Sequence, residues 1–473
     1  MRPRLKRSWR QPNPWPLADK TAIEESRRNG KAREQRNQRQ IAADWLPENA
    51  GRVAGKIRKK AIEYVTEANR TSAKDSPTER AQIVVVGGGL AGLLLSYVVA
   101  ASCRDRISVT LIERALPEKP EASLDTRATA ISRESKALLE SWELWQAVSA
   151  GAQPIEDIHV SRSARFGSAT LRDPLQDLEP MGWVIENSVF QQALISSGAV
   201  EGVTLLEGAE VVAFSATGDR PLLTLNTGNV LEADLVVIAD GANSSLRSAL
   251  GIGAVHHAPS QFAIAVNCET EAGATGVAYE RFTPEGPLAL LPIPNTSSTR
   301  ARYNVIWCAH QERQAELMAL SDEGFIEALQ AEFGWRAGKI ARVGRRTGWP
   351  LGRVAARELV RARCVLLGNS AHTLHPVAGQ GFNLSLRDVE RLATLISAEA
   401  ESPAPFDSVE RLSVFADMSR DDHEQTIGAT SLLAEMLDSP STVIDSVASI
   451  ALSALDLSSG VKRSVAQFGM GRR

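Results

Sequence analysis

The chain has 473 residues, 43% of them hydrophobic and 23% charged, and a formal net charge of −3; this is globular composition, enough for one large or two to three ordinary domains. Its four cysteines, Cys103, Cys268, Cys308 and Cys364, are far apart, which excludes a disulfide framework and a Cys-x-x-Cys metal or redox centre and fits a reducing cytoplasm. No run reaches the ~18–20 apolar residues that a membrane crossing needs, because the longest are broken by charge, as at Asp445 and Asp456.

Residues 1–80 hold 20 Lys+Arg against 10 Asp+Glu, a basic segment read as a solvated, disordered extension in preference to a nucleic-acid or lipid-binding arm. It has no apolar stretch of the secretory type and is interrupted by Pro12, Pro14 and Pro16, so export is not expected. Thr71 to Pro77 reads as a linker, and the folded body is expected from Ala81. Strand-like runs follow at Ile83–Val86, Val109–Ile112, Leu235–Ala239 and Val365–Gly368, with helical patterns between some of them. That alternation predicts an α/β fold around a parallel sheet. Residues 255–350 differ: extended segments at Ala278–Phe282, Leu288–Pro292 and Tyr303–Trp307 lie between Pro/Gly turns, predicting an inserted antiparallel sheet. Beyond Gln380 the chain is mainly helical.

The strand Ile83–Val86 runs straight into Gly87-Gly88-Gly89-Leu90-Ala91-Gly92, and the apolar helical stretch Leu93–Ala101 follows. Strand, glycine turn and helix together make a dinucleotide-binding turn: Gly87 for tightness, Gly89 for backbone approach to a pyrophosphate, Gly92 for helix–strand packing. Such a turn alone is weak evidence. Glu113 strengthens it, ending the next strand 21 residues after Gly92, where a carboxylate accepts hydrogen bonds from a ribose and repels a 2′-phosphate. The ligand is thereby FAD or NAD.

Two later segments decide for FAD. Asp240-Gly241-Ala242-Asn243 and Gly368-Asn369-Ser370-Ala371-His372 each follow an apolar strand, and ligands of open α/β sheets bind at strand carboxyl ends. The second segment continues through Pro376, Gly379, Gly381 and Asn383 into a helix with Phe382, Leu386, Val389, Ala393 and Ile396 on one face. Its amino end can stabilise negative charge on a reduced flavin, with Pro376 shaping the approach to the ring. The expected organisation is a Rossmann-like FAD-binding domain in two parts, 81–254 and 351–400, a substrate-binding sheet at 255–350 and a C-terminal helical region at 401–473.

These three segments resemble the flavin-dependent aromatic hydroxylases of the para-hydroxybenzoate hydroxylase type. Asp125 to Ser132, Glu280 to Pro292, Thr373 to Leu384 and Arg387-Asp388-Val389 are similar to the ubiquinone-biosynthesis branch, most of all to the 2-polyprenyl-6-methoxyphenol hydroxylases. The resemblance covers residues 82–471 and excludes the basic segment. It implies that Arg127 lies near the pyrophosphate or ribityl chain, that Asp240 lies near the flavin, and that the inserted sheet roofs the ring. Asn369 stands where the wider family has Asp; it can still hydrogen-bond a ribityl hydroxyl. The resemblance further implies reduction of FAD by NAD(P)H, a flavin C4a-hydroperoxide formed with O2, and hydroxylation of a prenylated phenol. Other ubiquinone-biosynthesis enzymes and the inner face of the membrane are the partners it suggests, with no nucleic acid. A dehydrogenase or prenyl reductase of the same fold, and a non-catalytic scaffold, are the alternative readings.

His372 and His375 have a ligand-like spacing, but Pro376 follows and no carboxylate or Cys stands near in sequence, so no metal is expected. His375 is read as a backbone contributor beside the flavin. Tyr279, Arg281 and Tyr303 are the polar groups the inserted sheet offers, and none is assigned a catalytic role. Leu432, Leu433, Met436, Leu437, Val443, Ile444 and Val447 predict amphipathic C-terminal helices that pack within the molecule in preference to a membrane surface.

Overall fold

The computed structural model describes residues 80–438 apart from 116–126, 164–167, 173–178, 199–200, 258–260, 272–275, 296–299, 375–378 and 402–405, with 257 and 429–438 described by backbone alone. The basic segment, His375, Pro376 and the C-terminal stretch beyond 438 lie outside the described residues.

In chain order, β1 (Ala81–Val86), α1 (Leu90–Ser102) and β2 (Ile107–Glu113) form the opening unit. They are followed by β3 (Ala128–Ser132), α2 (Arg133–Ser141), β4 (Asp157–Arg162), β5 (Gly182–Glu186), α3 (Asn187–Ser196), β6 (Val203–Glu207) and β7 (Leu235–Ile238). Next come β8 (Phe262–Glu271), β9 (Val277–Thr283), β10 (Gly286–Ile293), β11 (Arg300–Ala309), α4 (Gln311–Ala319), α5 (Asp322–Phe333) and β12 (Lys339–Val343). The described part closes with β13 (Cys364–Leu366), α6 (Gln380–Glu399) and α7 (Val409–Asp438).

The central sheet has six strands, in the order Val360–Arg361, β13, β7, β1, β2, β6, all parallel except the first. Its strands are apolar along their whole length because helices and loops cover both faces: Ile83, Val85, Leu235 and Val237 pack with α1 and α6, and Val84, Val86, Val236 and Ile238 with the other side. Register places the ends of β1 and β7 together, Val86 opposite Ile238, and Ile238 opposite Leu366. The chain therefore leaves three adjacent strands on one edge of the sheet.

The second sheet runs β12-β8-β11-β10-β9-β4 and ends on Ser168–Leu171, with Thr347–Pro350 also pairing with β8. Here the expected boundaries need correction. β4 and Ser168–Leu171, assigned from sequence to the first part of the FAD-binding domain, belong to this sheet, and β4 pairs with β9 in parallel. The sheet is thus mixed, and it is built from two separate stretches of chain. One face carries Tyr279, Leu288, Leu290, Tyr303, Val305 and Trp307, all buried under Leu317 of α4 and Phe325, Leu329 and Phe333 of α5. Each large side chain so buried contributes about 1.5–3 kcal/mol. The other face turns toward the first domain, where Ala278 and Ile293 meet Ile155, Val184 and Ala128.

Candidate flavin site

The glycine turn connects β1 to α1, and each glycine in it answers to a different constraint. Gly87 has φ +109° and a side chain there would meet the Ala239 carbonyl at 2.3 Å; at Gly92 it would meet the Gly87 carbonyl at 2.0 Å. Both glycines are demanded by the fold. At Gly89 a Cβ would meet nothing within 4 Å, and its φ of −62° suits any residue. That side chain is left out for the sake of what lies beyond the protein surface. The first turn of α1 has neither a side-chain cap nor an acidic residue, so the N–H groups of Leu90 and Ala91 and the positive helix end face outward, as an anion requires. The Gly88 N–H donates to Glu113 Oε2 (2.5 Å) and the Ala115 N–H to Glu113 Oε1 (2.9 Å). Glu113 is thereby fixed at the turn.

The Asp240 segment reaches this turn through the sheet: the Ala239 N–H donates to the Val86 carbonyl at 2.8 Å and the Leu367 N–H to the Ile238 carbonyl at 2.9 Å. Ser370 Oγ donates to the Ile238 carbonyl (2.6 Å) and Arg247 Nη1 to the Ser370 carbonyl (2.7 Å), while Arg247 Nη2 donates to the Ala242 carbonyl (3.1 Å). A Cβ on Gly368 would sit 3.2 Å from the Ala91 Cβ. The structure therefore brings together the three segments that lie up to 280 positions apart in sequence. Arg247 is the brace between the second and third.

Several positions fit FAD on the molecule's own geometry. Asp240 Oδ1 is buried and has no hydrogen-bond partner among the described residues, a vacancy that a ligand hydroxyl would fill; burial holds its carboxyl above the ordinary value, opposed by hydrogen bonds from Ser244 and the Leu246 N–H. Asn369 is exposed at the carboxyl end of β13. Arg127 is exposed, with its guanidinium 5.7 Å from the centre of the Trp349 ring, so it spans from β3 toward the second sheet. Gly379 is left-handed (φ +61°) at the uncapped amino end of α6, where a Cβ would lie 3.1 Å from the Ala130 Cβ. Gly381 has space on its far side, its nearest neighbour being Leu374 Cβ at 3.9 Å. Pro376 lies outside the described residues.

Asn383 does something other than expected. Its Oδ1 accepts from the Ser132 N–H (3.0 Å) and Ser135 Oγ (2.7 Å), and its Nδ2 donates to the Ala130 carbonyl (3.1 Å) and the Gly379 carbonyl (2.9 Å). All of its amide hydrogen-bonding capacity goes to protein partners, so it clamps β3 to the start of α6 and shapes the site without reaching into it.

His372 also departs from its reading. The fold supplies the carboxylate absent from its sequence neighbourhood: His372 Nε2 lies 2.9 Å from Asp388 Oδ2, and His423 Nε2 2.8 Å from the same oxygen. The set could hold a metal ion by distance alone. However, Arg391 Nη1 donates to Asp388 Oδ1 (3.2 Å), and Arg391 and Arg387 both bind Asp422, so the carboxylate's charge is already matched. Asp388 is buried, yet hydrogen bonds from His372 and His423 outweigh that burial and hold its carboxyl far below the usual range. An ionised carboxylate only accepts, so both histidines donate from Nε2. This is a brace joining the third segment to α6 and α7.

The roof shows which polar groups the site can use. Tyr279 Oη donates to the Arg336 carbonyl (3.3 Å), Arg281 Nε to the Glu332 carbonyl (2.8 Å), and Tyr303 is fully buried. All three sit on the sheet face turned away from the flavin domain.

A parallel sheet with a glycine turn, two further strand-end segments and an apolar roof defines an FAD-dependent monooxygenase. The chain belongs to the FAD binding domain family, whose model matches residues 80–410. It is 32% identical over 399 residues to the ubiquinone hydroxylase UbiL of Rhodospirillum rubrum, covering 83% of this chain and 90% of that protein. It is 33% identical over 332 residues to the 3-demethoxyubiquinol 3-hydroxylase of Escherichia coli (68% and 80%), and 27% identical over 436 residues to the human mitochondrial ubiquinone biosynthesis monooxygenase COQ6 (82% and 92%). Among solved structures, p-nitrophenol 4-monooxygenase PnpA from Pseudomonas putida superposes with a TM-score of 0.64 at 18% identity, covering 83% of this chain and 99% of that one, a likeness of fold.

Proposed function

We propose that this chain hydroxylates the ring of a prenylated phenol in ubiquinone biosynthesis, using FAD, O2 and NAD(P)H. The observation that carries the reading is the convergence of three remote segments at the carboxyl ends of β1, β7 and β13, beside an apolar sheet face. The chemistry that FAD supplies when bound is acceptance of hydride and activation of O2, which side chains cannot perform. The protein's own part is to bind, orient and exclude water. The amino end of α1 holds the pyrophosphate, Glu113 accepts from the ribose, Asn369 and Asp240 take hydroxyls of the ribityl side, and Arg127 adds positive charge from the rim. The amino end of α6 stabilises negative charge on the ring edge, and the roof keeps that edge dry. The sequence has no second Gly-x-Gly-x-x-Gly fingerprint, so NAD(P)H is read as a visiting reductant without a domain of its own. A prenyl tail partitions into lipid, and no described helix is long and apolar enough to cross a membrane; we place the chain at the membrane surface, which co-sedimentation with anionic vesicles tests.

The deciding experiment supplies isotopically labelled O2 to the purified flavoprotein with NAD(P)H and a prenylated phenol. One labelled oxygen in the product is the expected result. NAD(P)H consumption with an unlabelled product would identify a dehydrogenase or reductase instead.

A further inference from the structure

Three carboxyl groups of the roof lie on the side that faces the flavin domain: Glu269 is paired with Arg300 and Arg342 and Glu271 with Lys339, and the third is Glu280. Strand alternation sends Tyr279 and Arg281 of β9 to the helix-covered face and Ala278, Glu280 and Phe282 to the opposite one. The register confirms the assignment: Glu280 stands opposite Ala289 of β10 and Val160 of β4, and Ala289 in turn opposite Ile306 of β11. Ala278, one same-face step away, belongs with Ile155, Val184 and Ile293 to the cluster against which Ala128 of β3 packs, and a Cβ on Gly379 would lie 3.1 Å from the Cβ of Ala130 on the same strand. Glu280 thus sits next to the point where the roof meets the strand that flanks the flavin site.

The two faces differ in accessibility around Glu280. Tyr279, Leu288, Leu290, Tyr303, Val305 and Trp307 are all buried, whereas Glu280, Phe282, Ala289, Leu291 and Ile306 are each partly accessible. Among the described residues Glu280 has no hydrogen bond and no ion pair. The charged or titratable groups on this face of the neighbouring elements are Arg162 on β4, beside Phe282, the Cys308 thiol and Arg300 on β11, Arg127 before β3, and the Glu186–Arg302 pair at the far end, while Asp157 and His159 of β4 lie on the helix-covered face. Burial alone pushes its carboxyl up, to about 7.

We propose that Glu280 is a catalytic base for the phenolic hydroxyl of the substrate. The inference rests on the hydroxylase reading above. Phe282, Ala289, Leu291 and Ile306 around it suit a prenylated ring, and a carboxylate that no described residue pairs is left to accept the ring's O–H. In the step, the phenol O–H bond breaks and a Glu280 Oε–H bond forms. The phenol oxygen keeps the electron pair, which raises the electron density of the ring for oxygen transfer; the carboxyl later gives its proton to water. A base that titrates near working pH is the effective kind.

The test compares wild-type, Glu280→Gln and Glu280→Asp holoenzymes. Flavin content in Glu280→Gln should match wild type, and its melting temperature should match wild type near pH 4 and be no lower at higher pH, since no partner among the described residues is lost. With a monoprenylated methoxyphenol, kcat should fall by about 10²–10³-fold, and the limb of the pH–rate profile near pH 7 should vanish. A readout without turnover uses bound 4-nitrophenol, followed by difference absorbance against pH. Wild type and Glu280→Asp should titrate in two coupled steps because probe and carboxyl share a proton, and Glu280→Gln in one. A single step in wild type, a retained pH limb in Glu280→Gln, or loss of flavin or stability in that variant would each overturn the proposal. If wild type hydroxylates the phenol and Glu280→Gln does so equally, this inference alone fails; if wild type inserts no oxygen, both readings fall.

Discussion

Glu280 in the roof, partly accessible, and Asp388 in the flavin domain, buried, are both carboxylic acids that desolvation pushes up, and their partners drive them in opposite directions. Asp388 receives His372, His423 and Arg391 and is held ionised. Glu280 receives nothing from the described residues and is pushed up to about 7. The burial cost is common to both, and the donors make the difference. A carboxylate surrounded by donors holds structure together; one left without them remains available to a ligand.

The largest effect should come from breaking the partnered acid. Asp388→Ala strands two imidazoles and leaves Arg391 with Asp422 alone, and removing one member of a buried charge network costs about 3–5 kcal/mol; chemical denaturation should show that loss, with release of flavin because the brace holds the Gly368–Asn369 segment. Asp388→Ala that unfolds like wild type would remove the contrast.

The next effect is smaller and depends on pH. A raised folded-state pKa means that folding disfavours ionised Glu280, so its share of stability is full below the unfolded value of 4.5 and falls as pH rises to about 7. Replacing it with Gln should leave stability unchanged near pH 4 and increase it above pH 7, by about 3 kcal/mol at most. Asp388 has the opposite sign. Its folded pKa is depressed below 3.8, so its contribution is present above that value and is lost as pH falls further. Melting temperature against pH for both variants checks both directions at once.

The smallest effect is expected from His423→Ala, which removes one donor from Asp388 and leaves two. A cost of about 1 kcal/mol should appear as faster amide exchange where α7 crosses α6. A larger loss than that of Asp388→Ala would show that the histidine, and not the carboxylate, organises the brace.

What the sequence shows and hides follows from the range of each interaction. The glycine turn is legible because the missing side chain is itself the signal, and β1, α1 and β2 are neighbours in the chain. Apolar runs at Leu235 and Val365 announce buried parallel strands in the same way. The pairing of β4 with β9 joins residues 120 positions apart and leaves no local mark. His372 reaches Asp388 across 16 positions and His423 across 51, each through helices whose facing depends on packing. Alternation in β9 separates Tyr279 and Arg281 from Glu280, but only the placement of α4 and α5 over one face decides which set meets the flavin domain. Asn383, expected to touch the cofactor, spends its amide on Ser132 and Ala130 and holds the motif in shape.

The central claim is that the three strand-end segments clasp FAD, and Gly89→Asp tests it most directly. A side chain there meets no protein atom within 4 Å, so the apo-protein should fold and melt as wild type does. The added carboxylate stands where the pyrophosphate would lie, and titration with FAD, followed by quenching of flavin fluorescence, should show no binding. Wild-type FAD affinity in the Gly89→Asp protein would contradict the account.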